Sequence, residues 1–237
     1  MHNFLLNGGG LDSYAYSTIM TLFGIEHWNI HINYSHIASN TELEAVKYLS
    51  TINNTPMLEI KSTSGYIRKS GKLFNRNQED PFILGRNLSL SLDVVKYCIE
   101  NNIDGKINIV FGFVDPGYQP MGDASEKFLR NLNEVISNSF NTDTTQFVCV
   151  APFIQVPRDI LISFAYLIDN SIFENSKTCW VPKKGEPCGT CKHCILQQEL
   201  IKKVSNLNIS DKMNLLTKLF YYASVYSINE IFGISEK

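Results

Sequence analysis

No stretch of this chain approaches the roughly 20 consecutive apolar residues that span a bilayer, which argues against a membrane-crossing helix and a membrane partner. The N-terminal segment lacks the basic-then-apolar pattern of a secretory signal, so the expected location is the cytoplasm. An excess of one charge is also missing: 21 Lys and Arg against 23 Asp and Glu give a formal net charge of -2. That balance offers no general attraction to phosphate backbones or anionic membranes, and nucleic acid is not the default partner. There is no internal repeat and no low-complexity tract. Cysteine is scarce, six in all, and a reducing cytosol argues against a disulfide framework; clustered thiols there point to metal or catalysis.

The 237 residues, 44% of them hydrophobic, suffice for one well-buried core, whereas a second full domain would be cramped. Short β-type runs at 3 to 6, 27 to 34, 57 to 60, 107 to 114 and 146 to 153 read as buried strands. Between them, apolar residues at helical spacing mark Tyr14 to Phe23, Thr41 to Thr51, Asn87 to Glu100, Asp123 to Phe140 and Arg158 to Ile168. Alternation of this kind builds βαβ units, hence a parallel sheet with helices on both faces and ligands at the carboxyl ends of the strands. Residues 61 to 85 break the rhythm with Gly, Ser, Asn and charge, and their length is that of a substrate lid. Strand signals stop near residue 170, which divides the chain into an α/β domain, 1–172, and a C-terminal module, 173–237. In that module a cysteine-rich stretch leads to a helix in which Leu215, Leu216, Leu219, Phe220 and Ala223 share a face, suited to packing on the body or on a second subunit.

The first strand run ends in Asn7-Gly8-Gly9-Gly10-Leu11-Asp12-Ser13. Three glycines serve a tight turn, since glycine accepts φ > 0. Placed between a strand and a helix, they also let several N–H groups converge on one anion beside the helix N-terminus, which makes phosphate the natural occupant. A Walker A loop is excluded, because no Lys occurs between Gly8 and Lys47. The dinucleotide fingerprint G-x-G-x-x-G fails too, with Ser13 at the place of its third glycine. What remains resembles the PP-loop of the ATP pyrophosphatases, Ser-Gly-Gly-x-Asp-Ser, with Gly8 in place of the first serine. That resemblance implies ATP cleaved between its α and β phosphates.

Cys179, Cys188, Cys191 and Cys194 follow one another at steps of nine, three and three residues. Two overlapping C-x-x-C steps and a fourth thiolate close a tetrahedral site around Zn2+, structural because no position is left for water. Two disulfides or redox thiols are the alternatives. His193 lies between ligands and is spare. Cys98 and Cys149 sit in apolar runs as small core residues.

The loop and the cluster together resemble QueC, the 7-cyano-7-deazaguanine synthase family of bacteria and archaea. Gly85-Arg86-Asn87, the series Gly112, Asp115 and Asp123, and Pro152 followed by Arg158-Asp159 extend the likeness in chain order. The implied fold is the parallel α/β sheet of the HUP, adenine nucleotide alpha hydrolase-like kind, with a small zinc-binding C-terminal module. The implied activity adenylates 7-carboxy-7-deazaguanine with ATP, lets ammonia displace AMP, and dehydrates the amide to a nitrile with a second ATP. Arg86 and Arg158 are then the cations that stabilise developing charge, with Asp12 and Ser13 as further catalytic residues. Asn7 through Ser13, Tyr34, Gly85, Asn87, Gly112, Asp115 and Asp123 are the nucleotide- and substrate-binding candidates. Asp115 or Asp123 holds Mg2+ or accepts from a purine-like edge. The family also implies a homodimer.

The departures are specific. Where the family carries Asp-Tyr-Gly-Gln-Arg-His, this chain has Asn33, keeps Tyr34 and loses the Gln-Arg-His; Met121-Gly122-Asp123-Ala124 replaces a Gly-Tyr-Pro-Asp-Cys turn; and Gln197 stands for an Arg. QueC-like proteins also occur in antiphage operons, including CBASS-type systems. There the same acyl-adenylate is expected to be captured by an amine of a protein or other macromolecule. A housekeeping nitrile synthase, a non-catalytic nucleotide or nucleobase binder, and a tRNA-thiolation chemistry are the competing readings. The last needs a reactive cysteine pair outside the metal cluster.

Overall fold

The computed structural model describes residues 1–64, 85–115, 122–179, 182–183, 185–225 and 232. Five parallel strands, β1 (His2–Leu6), β2 (Trp28–Asn33), β3 (Met57–Lys61), β4 (Gly105–Phe111) and β5 (Thr145–Val150), form one sheet in the order β3-β2-β1-β4-β5. Helices α1 (Leu11–Leu22), α2 (Ser39–Ile52), α3 (Arg86–Glu100), α4 (Glu126–Phe140) and α5 (Arg158–Ile168) alternate with them. They are followed by α6 (Ile172–Asn175), α7 (Lys192–Ser205) and α8 (Ile209–Val225).

Strand alternation sorts the core into two layers. Phe4, Ile30, Ile32, Ile109 and Phe147 point to the side covered by α3 (Val94, Val95, Cys98) and α4 (Leu129, Leu132, Ile136). Leu5 and Val110 point the other way, against Tyr14 and Ile19 of α1, Leu49 of α2 and Leu161, Ile162 and Phe164 of α5. Because both faces are covered, the strands read as nearly continuous apolar runs. Leu200 of α7 and Leu216 of α8 pack against the second layer, so the helices after residue 172 lean on α5 and α1. The segment read as a lid falls mostly at residues 65–84, outside the described residues, as does Met121.

Several polar side chains in and beside the sheet are paired. Asn108 Nδ2 donates to Asn3 Oδ1 across β4 and β1, and Asn7 Nδ2 donates to Asn29 Oδ1, each at 2.8 Å. His27 is 2% exposed, with Nδ1 donating to the Ile25 carbonyl at 2.8 Å and Nε2 accepting from Ser17 Oγ at 2.9 Å. Burial holds this imidazole below its ordinary pKa, so the pair is a neutral core contact. Strand order reverses between β1 and β4, which opens a crevice at their carboxyl ends.

Candidate functional site

The loop between β1 and α1 is fixed by its own sequence. Asn7 Oδ1 accepts from Gly9 N at 2.8 Å, and Gly9 O accepts from Lys177 N at 2.6 Å. Gly9 has φ +69, and a Cβ there would lie 2.8 Å from the Glu42 carbonyl of α2, so the position requires glycine. Gly10 is the N-cap of α1 and supplies no side-chain cap. Among the described residues no side chain caps the first N–H groups of α1, a geometry that suits an anion. Ser13 Oγ donates to Gly10 O at 3.2 Å.

These groups floor a cleft of about 330 Å³ whose walls come from every layer of the fold. Arg86, at the start of α3 behind the left-handed N-cap Gly85, stands at one side. Tyr34 stacks on His36 with ring centroids 4.2 Å apart. Its hydroxyl is pushed up to about 12 by burial, against the opposing pull of Arg86. Asn87 Nδ2 donates to the Asp123 carbonyl at 2.7 Å and holds the Asp123–Ala124 turn at the rim. A Cβ on Gly112, beyond β4, would come 3.4 Å from the Ser13 backbone, so a side chain there would crowd the start of α1. Arg158 Nε reaches across from α5 to Asp12 Oδ1 at 2.7 Å. Leu6, Ile30, Ile32, Leu90 and Phe111 add an apolar wall. The cleft thus joins the amides at the start of α1 with cations and an apolar wall, a lining that suits a ligand with both an anionic and an apolar part.

The four cysteines come together as their spacing predicts. Their Sγ atoms all lie within 4.8 Å of one another, with Cys188 to Cys194 at 4.0 Å and Cys191 to Cys194 at 3.5 Å. A tetrahedron with bonds of about 2.3 Å has edges of about 3.8 Å, so the set fits a single ion. Cys188 N donates to Cys179 Sγ at 3.2 Å and Cys191 N to Cys188 Sγ at 3.3 Å, bonds that favour thiolates. Burial pushes the Cys188 thiol up, but hydrogen bonds from the Thr190 and Cys191 backbone outweigh it and bring it down to about 6. Cys98 of α3 and Cys149 of β5 are buried in the core on one face of the sheet, and burial pushes each thiol up to about 12, the opposite of reactive character.

Of the residues expected from sequence, Asn7, Gly8, Gly10 to Ser13, Tyr34, Arg86, Asn87, Gly112 and Asp123 line the one cleft. Gly9 faces α2, Gly85 caps α3, and Arg158 meets the cleft through Asp12. Asp115 lines a neighbouring hollow with Ser125 and Glu126, and its carbonyl accepts from Arg158 N at 2.9 Å. Two departures turn inward on local structure. Asn33 Nδ2 donates to Glu59 Oε1 while its Oδ1 accepts from Ser35 N, each at 3.0 Å, with Ser35 at φ 65. Gln197 Nε2 donates to the Phe173 carbonyl at 3.0 Å.

Sequence reasoning missed His31, Glu42, Lys177, Thr178 and His193, all on the cleft. Lys177 and Thr178 directly precede Cys179, the first cysteine of the cluster, which is the only signal they carried. His193 is held down to about 4 by burial and by the cations Arg158, Lys192 and Arg86, and it brings the cysteine-bearing segment to the wall of the cleft.

Residues 3–205 match the family model described as queuosine biosynthesis protein QueC. The chain belongs to the QueC family. Membership carries with it use of ATP and a C–N-forming or related activity, and makes the protein an enzyme of the nucleotide-utilising kind. No curated protein matches this QueC-family chain by sequence. Among solved structures it is similar to the U34-tRNA thiolase NcsA from Methanococcus maripaludis with its [4Fe-4S] cluster, at 10% identity and TM-score 0.48, over 96% of this chain and 73% of that one. It is also similar to the NMN synthetase from Francisella tularensis, at 11% identity and TM-score 0.40, over 95% of this chain and 85% of that one. No helix among the described residues is long and apolar enough to cross a membrane.

Proposed function

We propose that this QueC-family protein adenylates the carboxylate of 7-carboxy-7-deazaguanine or a close analogue and passes the acyl group to an amine, forming an amide. The observation that carries the reading is the uncapped α1 N-terminus behind Gly8 to Gly10, opening on the same cleft as Arg86 and Asp123. In the first step a carboxylate oxygen attacks the α-phosphorus and pyrophosphate leaves. In the second, the amine nitrogen attacks the acyl carbon, loses a proton, and AMP departs with the former carboxylate oxygen. The amides of the loop and α1 hold the phosphate chain, while Arg86 offsets the charge of two anions brought together. Arg158, pinned to Asp12, keeps α1 and α5 in register rather than standing as a loose cation. Asp123, one of three acidic residues on the cleft with Asp12 and Glu42, is suited to Mg2+, which would neutralise phosphate charge when bound. The cysteine set suits Zn2+ as a structural ion.

In this reading the acceptor is an amine of a protein or other macromolecule, in the antiphage setting that QueC-like proteins also occupy. Its support is the rebuilt turn at the rim, where Asp123 and Ala124 line the cleft. Incubation with ATP, 7-carboxy-7-deazaguanine and candidate amines, followed by mass determination of all products, tests it. The expected result is an amide with the macromolecule, with AMP and pyrophosphate in equal amounts. Clean conversion to the nitrile with ammonia alone supports the housekeeping synthase instead, and ligand-dependent stabilisation without pyrophosphate supports a binder.

A further inference from the structure

His31 of β2 is 1% exposed and lines the cleft beside Asn7, Gly8 and Glu42, yet its Nε2 has no hydrogen-bond partner among the described residues. A buried polar atom left unmade is costly, and sites where one persists are commonly completed by a ligand. Its other nitrogen, Nδ1, lies 3.4 Å from the Asn7 carbonyl at the end of β1, so the proton of the neutral ring belongs there. Nε2 then carries a lone pair, and it becomes a donor only when the ring is protonated. The neighbouring Gly8 lacks the serine hydroxyl that a PP-loop carries at this point. Packing does not demand the loss, since a Cβ on Gly8 would meet only Glu42 Oε2, at an ordinary 3.9 Å.

Resting on the nucleotide reading of this cleft, we propose that His31 is a phosphate ligand: on binding ATP it takes up a proton and donates from Nε2 to a phosphoryl oxygen, in place of the absent loop hydroxyl. The charged groups around it make this proton uptake workable. Glu42 on α2 and Glu59 on β3 favour the imidazolium, while His36 on the connection to α2 opposes it. Glu42 is also engaged at 3.0 Å with His36 Nε2. Burial keeps the ring neutral in the unliganded protein. No electron or bond other than the N–H is rearranged; the proton comes from solvent.

Calorimetric titration of the full-length, metal-loaded protein with MgATP, in buffers of differing ionisation enthalpy at pH 7.5, reads the proton directly. The expected result is net uptake approaching one proton per ATP, absent in His31→Leu. The same substitution weakens ATP about tenfold, as for a lost charge-assisted bond, but leaves adenosine binding unchanged, which also reports an intact fold. Gly8→Ser added to His31→Leu regains part of the ATP affinity. ATP binding with no proton uptake, or equal loss of ATP and adenosine in His31→Leu, overturns the proposal while leaving the nucleotide site standing. A wild-type protein that binds no ATP overturns both.

Discussion

Gly9 and Gly10 are adjacent and identical, yet the fold uses them differently. At Gly9 the left-handed backbone and the Glu42 carbonyl both exclude a side chain. At Gly10 the backbone is extended, with φ -78, and a Cβ would meet nothing within 4 Å. Gly9→Ala is therefore expected to cost about 2 kcal/mol or more of stability, read as a lower denaturation midpoint, while Gly10→Ala folds as the parent does. Equal behaviour of the two variants would contradict the loop geometry. A second residue-scale prediction concerns Asn33. Restoring the family's acid in Asn33→Asp sets two carboxylates face to face with Glu59 at the position of a hydrogen bond. A loss of up to about 1 kcal/mol at neutral pH is expected, reversed by adding Glu59→Gln.

At the scale of elements, α1 and α5 converge through their N-termini. Arg158 donates from its side chain to Asp12, and its backbone N–H is taken by the Asp115 carbonyl. The pair is partly exposed, so Arg158→Ala is expected to cost only about 1 kcal/mol of stability. The larger effect falls on ATP affinity, because Asp12 opens α1; unaltered ATP binding in that variant would contradict a positioning role. The elements themselves were largely legible in the sequence. All five strands fall where period and apolar runs placed them, and Arg158 to Ile168 has the same bounds in both. Helix α7 was hidden: Leu196, Leu200 and Val204 recur at four-residue spacing, but the cysteine pattern occupies its first turn. The cleft was half legible. Its loop and Arg86 announce themselves by local motif, whereas His31, Glu42 and Lys177 carry no motif. They become site residues only because parallel pairing sets β2 beside β1, and because Lys177 N closes on Gly9 O.

At the scale of the whole molecule, the cysteine cluster and the glycine loop are joined by one short segment. Lys177 bonds the loop, Thr178 lines the cleft, and Cys179 is the first thiol of the set. Chelation is therefore expected to lower the melting temperature and ATP affinity together, with both restored by Zn2+; affinity retained after metal removal would separate the two sites. Stability should also fall in acid. His27 and His31 have lowered pKa values in the fold, from burial, so the unfolded chain binds protons below about pH 6.5 that the folded one refuses. Their contribution is complete above that pH and is lost as pH falls toward the folded values. A melting temperature flat between pH 7.5 and 5.5 would contradict this, and saturating ATP should flatten the decline if His31 is protonated in the complex.

The central claim is that a carboxylate oxygen attacks the α-phosphorus of ATP in this cleft. Substrate labelled with 18O in its carboxylate, turned over with ATP and an amine acceptor, tests it most directly. The account predicts one labelled oxygen in the AMP produced and none in pyrophosphate. Unlabelled AMP, or ADP with labelled phosphate, would contradict it.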